Sequence, residues 1–414
     1  MTGTKSALKT SDLLNATVIV AALGYFVDVY DLILFGMVRI SSLTELGLKG
    51  KELNEVGLQL HNWQMGGMML GGIIWGVLGD RKGRLSVLFA SILTYSVANI
   101  ANGFVQSVES YAFWRFVAGF GLAGELGVGI TLVSEGMSKE HRGYGTMLVA
   151  SIGVTGAVVA AILSKLVDWR MVYFIGGGLG MILLVLRISV MESGMFTSMK
   201  DTEVSKGNFF HLFSGKKIFL KYLKCILIGV PIWYTIGFLI LYASRFLSLT
   251  NISKDIVIDQ PIIIMVYYLG LTLGDILSGV ISQILRSRIK AVFIFITATF
   301  VGCLVYLFAP IPDQNWFYVL CFMLGISCGY WAMFITIAAE QFGTNIRSTV
   351  ANTVPNFVRG ALVILTMMLS GLLLLIPDEF ISLLIVGAIV FGVAMVSLLT
   401  LDETFGKDLD YMEE

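Results

Sequence analysis

The chain has 414 residues, 57% hydrophobic and 14% charged, with a formal net charge of zero and a mean hydropathy of +0.85. Soluble globular chains carry about 25% charged residues, so this sequence lacks the polar surface to dissolve a chain of its length. The zero net charge says nothing about partners.

Apolar runs of about 20 residues, each long enough to cross a bilayer core of about 30 Å, recur from end to end. Twelve spans are predicted, over 13–38, 60–79, 85–105, 109–134, 143–164, 170–190, 218–246, 259–282, 290–310, 315–338, 349–376 and 380–400. No stretch is left for a soluble domain. The expected fold is an all-α membrane protein, because helices satisfy their own backbone hydrogen bonds in lipid. The first run shows no small-residue cleavage site and reads as a retained helix.

Span one holds "YFVDVYDLILFG", Tyr25 to Gly36, with Asp28 and Asp31 inside an apolar run. Span two runs into "GVLGDRKGR", Gly76 to Arg84. Span four carries Arg115 and Glu125 and leads into "SEGMSKEHRGYG". After span six comes the longest inner connection, Met191 to Lys217, whose "GNFFHLFSGKKIFLKYLK" reads as a short helix along the membrane interface. It divides the chain into a six-helix half over 1–190, a linker over 191–217, and a second half with a short tail over 218–414.

The halves resemble each other weakly. Glu135 precedes Arg142 after span four, and Glu340 precedes Arg347 at the same spacing after span ten. "MESGMF" closes the first half and "LDETFGK" the second. Repeated six-helix halves are a transporter architecture, with the substrate site between them near the bilayer midplane. Of the 28 Lys and Arg, nineteen fall in segments that are inner if the N-terminus is inside, and seven in outer loops, Arg39 among them. That bias places both termini in the cytoplasm, with the protein in the cell (inner) membrane.

The motif "GVLGDRKGR" resembles the signature between spans two and three of the major facilitator superfamily, matched by Asp80, Arg81, Gly83 and Arg84. "WRFVAGFGLAGELGVGITLVSEGMSKEHRG" is similar to its span-four pattern. Span four and "WRMVYFIGGGLGMILLVLRISVMESGMF" look most like proton-coupled metabolite symporters, and "VYDLILFG" also like sugar and aromatic-acid symporters. In the second half the acidic residue of the repeated signature is replaced by Gln283. The resemblance implies alternating access, with Asp31 and Arg115 as the proton-coupling pair. It also implies a charge network of Asp80, Arg81, Arg84, Glu135 and Arg142 that latches the inner side, repeated by Glu340 and Arg347.

The residues support a similar chemistry on their own. A buried charge is costly unless it is paired or changes protonation, so intramembrane ionisable groups are functional candidates. Helical rise places Asp31 about 27 Å from the cytoplasmic end of span one and Asp28 about 22 Å, with Arg115 about 9 Å below the outer face. Asp31 and Arg115 are thus level. An arginine beside a carboxyl favours its charged form, and apolar surroundings favour its protonated form. Arg115 approaching or leaving would therefore move a proton on Asp31. A permanent salt bridge that fixes packing is the alternative. Asp28 lies on another face and is open between hydration, pairing and sharing the proton.

Arg359, about 15 Å into span eleven, suits a carboxylate or phosphate because its fork binds bidentately. The alternative is pairing with an acid such as Asp275 or Glu125. Glu125 is a candidate second protonation site. Tyr25, Tyr30, Tyr234, Tyr268, Tyr330, Trp331, Asn352 and Asn356 are candidate cavity-lining groups, suggestive only together.

The expected function is proton-coupled symport of a small polar metabolite such as an organic acid or amino acid. Alternatives are an exporter or uniporter of the same fold, or a sugar-type substrate. An enzyme is disfavoured: Cys225, Cys303, Cys321 and Cys328 form no CxxC pair, and His61, His141 and His211 lie at or outside membrane edges. No Walker A loop is present either. No metal and no cofactor are expected. The expected partners are a small-molecule substrate, protons and the lipid bilayer, without nucleic acid, for a monomer.

Overall fold

The computed structural model describes residues 16–82, 84–125, 142–192, 209–246 and 259–407. In the first half α1 spans Ala16–Glu45, α2 Gly50–Lys82, α3 Arg84–Asn102, α4 Val108–Leu122, α5 Arg142–Leu166 and α6 Trp169–Glu192. A 3-10 turn over Phe209–Phe213 turns Phe210 outward and leads into α7, Lys216–Leu227. The second half continues with α8 (Val230–Tyr234), a π-helical turn over Thr235–Ile240, and α9 (Ala243–Phe246). After them come α10 (Gln260–Leu285), α11 (Arg288–Phe308), α12 (Gln314–Cys328), α13 (Trp331–Glu340), α14 (Thr344–Leu375) and α15 (Glu379–Leu399). Eight helical stretches among the described residues are long and apolar enough to cross a membrane, and the shorter Ser86–Asn102 and Ile152–Leu166 are also apolar.

Polar side chains mark where helices start. Ser107, Asp259, Ser287, Asp313 and Asp378 each accept a first-turn backbone N–H at the head of α4, α10, α11, α12 and α15. A side-chain acceptor there satisfies a donor that the helix leaves unpaired.

Glycines set how closely helices meet. On α2 a Cβ at Gly67 or Gly71 would run into the backbone of Phe116 and Phe120 on α4. On α10 Gly270 and Gly274 meet the backbone of Phe322 and Ile326 on α12 in the same way. The two halves therefore repeat one packing device, small residues that let backbones approach. A second α2 face, Gly72 and Gly76, abuts Asn356, Asn352 and Thr353 of α14 and joins the halves.

Two apolar runs that read as single spans are broken. Between α12 and α13 the chain kinks at Gly329 and Tyr330, and Asp275 Oδ1 accepts the backbone N–H of Ala332 at 3.1 Å. Asp275 thus caps a half-helix in mid-bundle. The run from Lys216 is interrupted by the π-helical turn, a local widening of the helix that frequently marks functional sites.

Three basic groups lie elsewhere than the hydropathy pattern placed them. Helix α1 continues past the end of its apolar run, so Arg39 is not in a loop but helical and fully buried. Helix α2 begins well before its run, so His61 lies well inside a helix rather than at its head, also fully buried within the protein. Arg187, counted with the inner connection, is buried on α6. Polar residues at helix ends depress local hydropathy without ending the helix.

Candidate functional site

We call the end of the bundle bearing the α1–α2 turn the turn end and the end bearing residues 400–407 the tail end. Midway along α1, Asp28 accepts from Arg359 Nη2 of α14 at 3.1 Å, both at most 1% exposed. This buried ion pair crosses between the halves. Arg359 also stacks 5.3 Å from the Trp331 ring, at the head of the half-helix α13. Tyr25 and Tyr268 flank the pair from α1 and α10. Arg359 Nε and Nη1 and Asp28 Oδ1 have no hydrogen-bond partner. Neither Asp275 nor Glu125 is the partner of Arg359; Asp28 is.

One turn along α1, Asp31 lies against Gly176 of α6, with Arg115, Asp28 and Asn99 among the polar groups near it. Neither Asp31 oxygen accepts a hydrogen bond. Arg115 Nη2 instead donates to Gln64 Oε1 of α2, and its guanidinium sits 5.1 Å from the Phe35 ring and 5.9 Å from that of Tyr173. The level pair of the sequence is adjacent, but Arg115 is held by Gln64 in this conformation.

Glu125 forms a third charged unit. Arg187 Nη1 donates to its Oε2 at 3.1 Å and Nη2 to its Oε1, a bidentate pair with side chains 3% and 2% exposed. A side chain at Gly24 of α1 would occupy the space of both partners. The glycine is the slot for the pair.

The remaining candidates divide. Tyr30 donates to Val172 O at 2.9 Å, Tyr234 to Leu383 O at 3.0 Å and Tyr330 to Ile228 O at 3.2 Å, so their hydroxyls hold helices together. Asn356 Nδ2 donates to Ala123 O at 2.9 Å, and the Asn352 amide meets α2 backbone at Gly72 or, with its amide turned over, at Gly76. Both asparagines stitch α14 to the first half. Tyr25, Tyr268 and Trp331 stay with the ion pair.

At the tail end, Arg288 Nη2 lies 3.4 Å from Glu340 Oε1, and Thr404 donates to Glu340 Oε2 at 2.7 Å. Arg347 Nε donates to the carbonyls of Ala339 and Phe342, each at 3.2 Å. Glu135 falls outside the described residues, as do the side chains of Asp80, Arg81, Arg84 and Arg142. A groove of about 380 Å³ lined by Leu60, Trp63, Val108, Phe113 and Phe116 lies between α2 and α4, apart from the ion pairs.

Sequence reasoning missed Arg39, His61, Gln64, Arg187 and Gly24. Arg187 had a signal, since it interrupts the apolar run "MILLVLRISV". His61 and Gln64, three residues apart, share one helix face, visible only once α2 is extended to Gly50.

A family model described as the Major Facilitator Superfamily matches residues 21–354. The chain belongs to the major facilitator superfamily. It is 26% identical over 353 residues to a Bacillus subtilis (strain 168) protein provisionally named a niacin/nicotinamide transporter, covering 82% of this chain and 84% of that one. A protein of Cupriavidus pinatubonensis provisionally named a 4-methylmuconolactone transporter is 24% identical, over 79% of this chain and 76% of its own. The benzoate transport protein of Acinetobacter baylyi is 27% identical over 39% of this chain and 35% of its own. This major facilitator is therefore a multi-pass membrane transporter of small metabolites and not an enzyme.

Proposed function

We propose that the chain is a proton-coupled symporter that takes up a small organic acid by alternating access, through twelve spans in two six-helix halves. Both termini and the linker face the cytoplasm in the inner membrane, the turn end faces outward, and the protein works as a monomer. The relatives' names favour an acid bearing a small ring, such as a pyridine or benzene carboxylate.

The observation that carries the reading is the buried Asp28–Arg359 pair across the halves. Arg359 already gives Nη2 to Asp28, so its end-on fork of Nη1 and Nη2 is half occupied. A substrate carboxylate binds both nitrogens by displacing Asp28. Asp28, left without its counter-charge in a low-dielectric site, takes up a proton. One anion and one proton then cross together with no net charge added to the bundle. Release on the other side lets Asp28 lose its proton and return to Arg359. Trp331, Tyr25 and Tyr268 supply ring faces beside the carboxylate subsite.

Asp31 and Arg115 form the second switch. With Arg115 on Gln64, Asp31 has no cation in hydrogen-bond reach; passing Arg115 to Asp31 favours the charged carboxylate and so couples the change of partner to proton movement. The tail-end cluster, together with Asp80, Arg81, Arg84, Glu135 and Arg142, sets the balance of conformers. Glu125, bound to Arg187, fixes α1 against α4 and α6.

The test is uptake of benzoate and nicotinate into proteoliposomes with an imposed pH gradient. Uptake that rises with an inward proton gradient supports symport, and uptake indifferent to the gradient sinks it.

A further inference from the structure

Arg39, Arg115 and Arg359 are each at most 1% exposed, and each leaves two guanidinium nitrogens without an acceptor. They are strung along one face of α1. Asp28 holds Arg359, Phe35 lies under Arg115, and Arg39 is on α1 itself, at spacings of seven and four residues that return to the same side of a helix. From Asp28 to Arg39 the helix rises about 17 Å.

Arg39 differs from the other two in which nitrogens are free. Its Nη1 donates to Asn54 Oδ1 at 3.3 Å, whereas Nε and Nη2, the side-on fork of the guanidinium, have no acceptor. That edge matches a carboxylate bidentately. Beside it, His61 is fully buried with neither ring nitrogen hydrogen-bonded, its ring 5.6 Å from Phe35 and 6.1 Å from Tyr242. The charged groups facing His61 are Arg115 from α4 and Arg39 from α1. Arg245, itself paired with Glu379, faces Arg39 from α9. Among the described residues no carboxylate forms an ion pair with Arg39 or Arg115. Arg39, a desolvated cation with no carboxylate paired to it, is unfavourable as it stands.

The other half supplies the cover. Tyr242 precedes α9, and Arg39 Cζ lies 4.1 Å from its ring centroid, a cation–π contact across the seam. Parting of the halves at the turn end would take Tyr242 away and bare the fork.

We propose that Arg39 and His61, covered by Tyr242, form an outer carboxylate subsite distinct from the one at Arg359. The anion captured there meets Arg115 next and Arg359 last. The proposal rests on the carboxylate reading above but adds a second place of binding, which can fail while that reading stands.

Equilibrium binding of labelled benzoate to the purified full-length protein tests it, in an Arg359→Gln background that removes the deeper subsite. One benzoate per chain is expected to remain bound there, and adding Arg39→Gln is expected to weaken it at least tenfold. Asn54→Asp keeps Arg39 but supplies a competing carboxylate, and is expected to abolish the residual binding in a chain whose thermal melt is not lowered. Tyr242→Ala is expected to tighten it severalfold by removing the cover. If wild type binds benzoate but Arg359→Gln binds none, or if the residual binding ignores both Arg39→Gln and Asn54→Asp, the outer subsite is refuted and the Arg359 reading survives. If wild type neither binds nor transports benzoate or nicotinate, the carboxylate reading fails and the subsite with it.

Discussion

The Glu125–Arg187 pair gives the sharpest prediction about stability. Both side chains are at most 3% exposed, and their two hydrogen bonds close a bidentate fork in the slot left by Gly24. Removing one partner of a buried pair leaves the other charge desolvated and unpaired, which costs about 3–5 kcal/mol. Glu125→Leu and Arg187→Met alone should each destabilise by that amount. Replacing both with apolar residues of similar size, Glu125→Leu with Arg187→Met, removes both charges together, and such exchanges are often close to neutral. The double variant should therefore recover most of the loss, giving a large coupling in a double-mutant cycle. Unfolding in mixed micelles of the four proteins measures it. Two single variants within about 0.5 kcal/mol of wild type, the scatter of ordinary surface changes, would refute the reasoning.

Gly24→Ala should act on the same pair, lowering the melting temperature in wild type and much less in the apolar double variant. Asp275→Asn should be close to neutral if the side chain only caps α13, since asparagine caps as well as aspartate, whereas Asp275→Ala should cost about 1 kcal/mol; an uptake defect in Asp275→Asn would contradict the capping role. Gly72→Val, whose Cβ would lie 2.9 Å from that of Asn356, should impair uptake by obstructing the α2–α14 seam while leaving each half folded. At the tail, burial would raise the Glu403 carboxyl. The Ser287 hydroxyl and the backbone N–H groups of Arg288, Phe405 and Ile289 outweigh this and hold it below the usual range. Its contribution is therefore complete above the unfolded value of about 4.3 and is lost as pH falls through the lowered folded value. Proteolysis at the tail should rise across that acidic window in wild type, and Glu403→Gln should remove the pH step.

The sequence revealed helices and charges but not their partners. Asp28, Asp31, Arg115, Glu125 and Arg359 stand out in apolar runs because charge is rare there, and each is buried. Which acid meets which arginine depends on helix rotation and on contact between halves, which a single chain's spacing does not encode. Asp28, the less favoured of the two aspartates by depth, therefore turned out to hold Arg359. The break at Gly329 and Tyr330 was hidden because both residues sit comfortably in an apolar window. Arg39 and His61 were hidden for the opposite reason: polar neighbours lowered the hydropathy of helix ends that are nevertheless buried. The repeated glycine packing of α2 on α4 and α10 on α12 was present as spacing, yet only the backbone approach gave it meaning.

The central claim is that a carboxylate substrate displaces Asp28 from Arg359 and that Asp28 then carries the proton. It is tested most directly by recording substrate-driven proton entry into proteoliposomes holding wild type or Asp28→Asn. Wild type should take up protons when benzoate or nicotinate is added outside. Asp28→Asn should still exchange labelled substrate across the membrane, with its substrate-driven proton entry cut to what Asp31 alone carries. Proton entry in Asp28→Asn equal to that of wild type would contradict the account.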